Sequence, residues 1–538
     1  MCHQSEGRIV QMTGISCAFG RGRAWLPAVV AAASLLVLPG LAFAQTPKPL
    51  IWGKPSEVLS TDPHSSGDGS SWTVFYLIYD QLLSTDDKLK ITPKLAESWE
   101  QVSPTSYVFK LRKNAAFSNG RPLTSADVVG SLKRLTDPQK ARGWGKQIGG
   151  VNDVVAIDAH TVRIDLAKPN TSLLSILSVA TTSILPMKEI EAGSFDPAKG
   201  MLGSGPYKVA QHRQDEAWLL ERNPHYWQSG KPLMDKMTIR VMPDDAARLA
   251  GLRDGSIDVA TFENPDTPRL LAAIPSVQPV VQKTPNYFHL DLSGLSGNSV
   301  FKDRRVRQAA ALVVDRPAIV NAVFGGESAV EYAVPSAFGK KLCEGLPSYT
   351  LPRKERVAKA KALLKEAGNP NPRINLIASS VLVTYPLIAQ VLQPQLQEAG
   401  FSVQVQQVPV ADWYKRVLTT NPKDSNFDAS LTWFAGFSDP GIVLNWWTSG
   451  FSPVFTTFLE PVPEYGELMA QIRQTPNGPE RDKLMTRACG LIESSANMIP
   501  LVGKPDYIGF RRDQLDARFG TLEGNFDVFK YVADFKRR

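Results

Sequence analysis

The residue types that most often carry chemistry are scattered along this chain rather than gathered. His64, His160, His212, His225 and His289 stand far apart, and none has the spacing that lets two imidazoles grip one metal ion. There is no HExxH, no phosphate-cradling P-loop and no GxSxG nucleophile elbow. Gly203-Ser-Gly-Pro-Tyr207 fits neither the nucleophile pattern nor GxGxxG, and reads as a tight turn into a strand. The paired carboxylates Asp86-Asp87 and Asp244-Asp245 fall at a turn and a helix start, where solvation or capping accounts for them. No catalytic residue, metal or cofactor is expected. What stands out is aromatic: Trp433-Phe434-Ala-Gly436-Phe437-Ser-Asp439-Pro and, shortly after, Trp446-Trp447, beside a predicted strand end. Aromatic faces with a few polar groups suit a cleft that sandwiches a small organic ligand, although one of Trp446 and Trp447 is expected to pack in the core. A second candidate is the polar loop His64 to Ser71, where Ser66, Gly67, Asp68 and Gly69 precede a helix. Backbone N–H groups there suit a ligand carboxylate, while Ser70 or Ser71 is also placed to cap the helix.

The elements that must position these residues are legible in the pattern. Val74, Phe75, Leu77, Ile78 and Leu82 form one helical stripe, and Tyr107, Phe109 and Leu111 alternate as one face of a strand. Thr124 and Asp127 have capping-box spacing ahead of an apolar helix face stopped by Asp137-Pro138. Strands are expected at Leu50–Trp52, Tyr207–Ala210, Ala217–Glu221 and Met237–Met242, with a hairpin across Asp158-Ala-His160 that makes His160 a turn residue. Asp244-Asp245 caps a helix that ends at Gly255. Further on, Arg373–Ser379, Tyr385–Ala399 and Phe401–Val408 read as strand, helix and strand, a parallel pair with a right-handed crossover. Strand and helix alternate through most of the chain, which is α/β architecture.

At 538 residues the chain exceeds what one hydrophobic core usually organises, so two lobes are expected. Residues 1–44 read as a secretory signal: Arg21 and Arg23, an apolar run from Trp25 to Leu41 interrupted by Pro27, Pro39 and Gly40, then Ala42-Phe43-Ala44 for cleavage. Cys17 precedes the apolar run and so cannot serve a lipid anchor at its end. The net charge of +8 is mild for this length, and the densest basic cluster, Arg304-Arg305-Val-Arg307, lacks the interleaved aromatics of a nucleic-acid binder. Cys343 and Cys489 follow the signal; a bridge and an isolated buried Cys489 are both open, since the exported compartment permits disulfides.

LAESWE (95–100), YVFKLRKNAAFSNGRPLTSADVVGSLKR (107–134), GSGPYKV (203–209), ERNPHYW (221–227), FKDRRVRQAAALVVDR (301–316) and SDP (438–440) occur in one order along the chain. With these runs the sequence resembles the family 5 solute-binding proteins of ABC importers, departing locally at the turn Ser103-Pro104-Thr105-Ser106. The resemblance implies an α/β, two-lobed periplasmic binding protein fold, class II-like with an extra subdomain: lobe I over 45–282, lobe II over 283–498, and a return to lobe I over 499–538, with Ile499-Pro-Leu-Val502 as the crossing. It implies a monomer in the periplasm that closes on a small solute, peptide-like by family membership, and delivers it to an inner-membrane permease and its ATPase subunits. By the same resemblance the cleft is bordered by Trp433, Phe434, Gly436, Phe437, Asp439 and Trp446, and receives Ser66 to Ser71 and Asn286-Tyr287. In the family's peptide binders an aspartate three residues before the SDP-like aspartate pairs with the ligand's α-amine. Here that position is Gly436, so either another acid such as Asp68 takes the role or the ligand has no free α-amine there. The second is favoured, because a glycine-rich segment turns backbone rather than charge toward a ligand. A hydrolase, a metal or haem carrier and a chaperone are the competing classes, separable by a nucleophile mutation, by metal in the purified protein and by affinity for unfolded chains. N-terminal sequencing of the exported protein is expected to start at Gln45; residues 1–44 still attached would overturn that reading.

Overall fold

A strand covered on both faces has no polar side, and Leu50–Lys54 is buried at each position. It pairs in parallel with Lys236–Val241 on one side and Val259–Phe262 on the other. In this computed structural model, which describes residues 48–137, 139, 140, 148, 150–297, 299–419, 421, 424–452 and 456–538, that strand is central to a seven-stranded sheet. The order is Val277–Gln282, Asp506–Arg511, Val259–Phe262, Leu50–Lys54, Lys236–Val241, Ala217–Arg222, Tyr207–Arg213. The expected signal segment lies outside the described residues.

A second sheet has five strands in the order Ser402–Val408, Arg373–Ser379, Ala429–Phe434, Tyr287–Leu292, Met498–Gly503. Its first three strands are mutually parallel, and the Thr384–Ala399 helix supplies the crossover, ended by Gly400 at φ +117°. Two short segments join the sheets, residues 283–286 and 504–505. The strand Met498–Gly503 pairs antiparallel with Tyr287–Leu292, so the chain leaves the second sheet at Lys504 rather than at Ile499. The apolar Ile499-Pro-Leu-Val502 run is buried edge strand, which the sequence pattern alone cannot tell from a crossing. A four-stranded antiparallel sheet, Ala96–Ser103, Ser106–Leu111, Thr161–Leu166 and Val151–Asp158, forms a separate layer beside the first.

Local rules explain the element ends. In the Ser106–Leu111 strand Tyr107, Phe109 and Leu111 are the buried positions. The Ser125–Thr136 helix starts on the Thr124–Asp127 capping box, with Thr124 N–H donating to Asp127 Oδ2 at 3.1 Å. The Asp245–Asp254 helix has Asp244 as its cap and ends on Gly255 at φ +82°. At the Gly69–Ile78 helix the cap is Asp68, not Ser70 or Ser71: its carboxylate accepts from Ser71 N–H at 2.7 Å. An Asp three residues ahead reaches that donor with an ionised oxygen, which a hydroxyl nearer the turn does not match. No helix among the described residues is long and apolar enough to cross a membrane.

Separate cores back the two main sheets: Trp52, Phe75, Leu77 and Trp218 under the first, Leu290, Leu376, Ile388 and Leu431 under the second. A further core beside the second sheet holds Tyr287, Phe434, Trp447 and Met485, and within it Cys343 and Cys489 are joined by a disulfide, Cα atoms 5.4 Å apart. The bridge spans 146 residues, so it removes much freedom from the unfolded chain. Replacing both cysteines by serine is expected to lower stability by about 2–4 kcal/mol, read from the urea unfolding midpoint of the oxidised protein. An unchanged midpoint would show the bridge to be energetically idle.

Candidate functional site

Ligands of open α/β sheets sit beyond the carboxyl ends of the parallel strands. Here those ends carry Lys54 and Glu263 from the first sheet and Trp433 from the second, and Lys504 emerges among them from a crossing segment. Trp433 has its ring centroid 6.1 Å from Phe526, and Phe526 meets Trp72 edge-on at 5.3 Å. Phe526 adopts φ +67° and lies over Gly69, where an added Cβ would come within 2.9 Å of its ring carbons. Gly69 is therefore a seat for that ring, and the glycine-rich loop, the C-terminal tail and the Trp433 strand meet there. Phe437, also at positive φ and fully buried, adds a ring 6.3 Å from Trp72.

The polar side of this aromatic cluster is ionic. Lys504 Nζ lies 4.9 Å from the Trp433 ring centroid, 3.0 Å from Glu263 Oε1 and 3.3 Å from Asp506 Oδ1. Burial works against the Lys504 charge, yet Glu263 and Asp506 together raise its pKa above the ordinary lysine value. Burial likewise raises the Asp506 carboxyl, with Lys504 opposing. Glu263 keeps about half of its side chain exposed. Lys54, at 2% exposure, donates to Ser56 O at 2.6 Å and to Ser70 Oγ. Burial lowers its pKa to about 8, only partly offset by Asp68, Glu57 and Glu263. Among the described residues no group of three or more His, Cys, Asp or Glu is placed to hold a metal ion.

The expected site residues divide. Gly69 and Trp433 come together through Phe526, and Ser66, Gly67 and Asp68 belong to the same loop. Asp68, however, is engaged by Ser71 N–H and by the Ser66 hydroxyl at 3.0 Å, so it works as a helix cap. Asn286 does not face outward: its Oδ1 accepts from Gly436 N–H at 3.0 Å. Tyr287 is fully buried and stacks on Trp447, centroids 5.9 Å apart. Phe434 is packed between His289 at 4.2 Å and Trp446 at 4.3 Å, while the Trp446 indole N–H donates to Ala435 O at 3.0 Å. Strand alternation is the reason: Trp433 points to one side of its strand and Phe434 to the other. Asp439 is a structural carboxylate, capping the Pro440–Leu444 helix and paired with buried Arg481 through contacts of 2.9 and 3.1 Å. At Gly436 an added Cβ would fall 2.0 Å from Pro285 O, so no side chain, aspartate included, fits this backbone.

Phe526, Lys504, Glu263, Asp506, Lys54 and Trp72 were not expected from the sequence. Only Lys504 carried a signal, as a cation directly after the apolar return run.

Known proteins share this arrangement of sheets. The profile of the bacterial extracellular solute-binding proteins, family 5 Middle, matches residues 90–453. The chain belongs to this family. The periplasmic oligopeptide-binding protein OppA of Salmonella typhimurium is 26% identical over 484 residues, covering 84% of this chain and 86% of the relative. Among solved structures, the periplasmic binding protein DppA of Helicobacter pylori, in complex with the peptide STSA, superposes with a TM-score of 0.76 at 23% identity, over 90% of this chain and 97% of that one. The binding protein AgaA of A. tumefaciens R10, in complex with agropinic acid, gives 0.76 at 21% identity, over 91% and 99%. As a family 5 member the chain has the two-lobed α/β fold of the periplasmic binding proteins.

The Lys54 geometry makes a pH-dependent prediction. Its folded pKa of about 8 lies below the ordinary 10.5, so between those values the unfolded chain holds more protons and stability rises with pH. Lys54→Met is expected to be more stable than the wild type near pH 7, and this advantage should shrink by about 3 kcal/mol as pH rises from 8 to 10.5. Parallel pH profiles of the two urea midpoints would contradict the assignment.

Proposed function

We propose that this chain is the solute-capturing component of an ABC importer, working in the periplasm by closing two lobes on a peptide or peptide-like molecule. One observation carries the reading. Trp433 and Phe526, backed by the buried Trp72, form an aromatic wall at the carboxyl end of the Ala429–Phe434 strand, bordered by the Lys504–Glu263–Asp506 cluster. Such a wall holds a ligand through apolar faces while the charges orient it. Family membership supports transport rather than catalysis, and it implies a membrane permease and ATPase pair as partners. The lobes of the proposal are residues 45–282 with their extra subdomain, 283 to the end of the Met498–Gly503 strand, and the tail from Lys504 that returns to the first. The OppA and DppA relatives, named for oligopeptides or bound to a tetrapeptide, support the peptide class.

The chemistry at Gly436 narrows that class. The backbone there leaves no room for a carboxylate, and Asp68 is committed to its helix. An α-ammonium buried at this point would lose its hydration with no counter-charge, a cost of several kcal/mol that aromatic contacts do not readily offset. The preferred ligand therefore presents an uncharged group at Gly436, as a modified peptide, an amide or a sugar derivative does. Titrating free and N-acetylated di- and tripeptides, with sugars and opines alongside, tests this through Trp433 fluorescence. Tighter binding of acetylated peptides is expected. Micromolar binding of free-amine peptides that acetylation abolishes would overturn it, and if Asp68→Asn then also destroyed that binding, Asp68 would be the amine's partner.

A further inference from the structure

A second concave region lies apart from the Trp433 cluster and shares no residue with it. It is a cavity of about 340 Å³ between the segment from Gly150 to Ile176 on one side and that from Ile442 to Gln474 on the other. Its lining is rich in donors. Exposed Lys168 and half-buried Arg473 both line it, and neither has a carboxylate partner among the described residues. Asn445 is only 5% exposed, and its side-chain amide makes no hydrogen bond within the described residues. Asn170, at 8% exposure, uses its Oδ1 to accept from Ser172 N–H at 3.1 Å, and its Nδ2 makes no hydrogen bond among the described residues. No aspartate or glutamate lines the cavity. The nearest acid by bonding is Asp439, reached through the Ser172 hydroxyl at 2.9 Å, and its charge is already met by Arg481.

A cavity lined by two cations and two amides, with no acid among its described lining residues, offers an entering anion charge-assisted and neutral donors in place of water. Burial lowers the Arg473 pKa, and nothing placed beside it raises that pKa back. Phe451 and Ile442 supply an apolar wall, and the volume falls at the lower end of the range for small-molecule pockets. We propose that this cavity is a second binding site, for a small organic anion bearing a carboxylate or phosphate, held by Arg473 and Lys168 with Asn170 and Asn445 as neutral donors. Because the lining comes from two distant chain segments, occupancy draws them together and favours the arrangement in which both are in place.

The test is calorimetric titration and thermal unfolding of the mature chain with acetate, succinate, citrate and inorganic phosphate, against chloride at matched ionic strength. Saturable binding of at least one anion is expected, with the midpoint rising in step. Arg473→Gln should weaken it at least tenfold, and Asn445→Asp, which places a like charge in the cavity, should abolish it. Circular dichroism of both variants establishes that they fold, and either one suffices to decide. Trp433→Ala should leave the anion affinity unchanged while impairing capture in the aromatic cleft. The proposal fails if no anion binds saturably, if a folded Arg473→Gln binds as well as wild type, or if Trp433→Ala removes the effect, since the anion would then lie in the cleft.

Discussion

Two strands of chain cross between the sheets, and they are fastened to each other. Thr284 Oγ donates to Lys504 O at 2.6 Å, and Lys504 N–H donates to Asn286 O at 2.8 Å. The backbone of Lys504 is thus held on both sides, which fixes where its side chain can go. That side chain ends at Trp433, Glu263 and Asp506, so the junction between the sheets and the charge balance of the cleft depend on one residue. Asn286 extends the same arrangement through its carboxamide to Gly436 N–H, tying the crossing to the segment that follows the Ala429–Phe434 strand. The close approach of Pro285 to Gly436 follows from this fastening, and with it the absence of a carboxylate at that point.

Opposite the crossing, the two halves touch through small polar residues. The Ser172 hydroxyl donates to Asp439, Thr171 N–H donates to Arg473 O at 2.8 Å, and Ser175 and Ser438 share a hydrogen bond. Hydroxyls of this kind gain little net stability when they pair, because water serves them nearly as well when they part. Contacts that can be made and broken cheaply suit surfaces that meet and separate. The Asp439–Arg481 pair is different: breaking it would strand a buried charge, so it stays within its own half and presents a fixed acceptor to the other.

How far the sequence could be read follows from the range of each signal. Period and capping are local, so the Tyr107–Leu111 face, the Thr124–Asp127 box and the parallel pair around Thr384–Ala399 were all legible. The Trp433 to Asp439 stretch was legible as a place, but not as a set of contacts. Composition gives aromatic residues without saying which face of a strand each one takes, and Tyr287 and Phe434 are buried in packing, as is Trp447, while Trp446 is partly exposed. Phe526, Glu263 and Asp506 were hidden for a different reason. They reach the cleft only through pairings between remote segments, such as Asp506–Arg511 entering the first sheet between Val259–Phe262 and Val277–Gln282, and no local pattern encodes that.

The C-terminal tail has a consequence for the order of events during synthesis. Arg537 donates to Pro49 O across 488 residues of sequence and holds both oxygens of Asp258, so the first strand is gripped by a residue made long after it. Phe526, which fills the space between Gly69 and Trp433, also arrives long after the loop it covers. A chain emerging from the ribosome can form its local hairpins and helices early, but the first sheet lacks a strand and the aromatic wall lacks its middle ring until residues 506–526 have been made. Interactions of such long range form late and slowly. A nascent chain that has not reached this stretch therefore lacks both that strand and that ring, however well its earlier elements have formed.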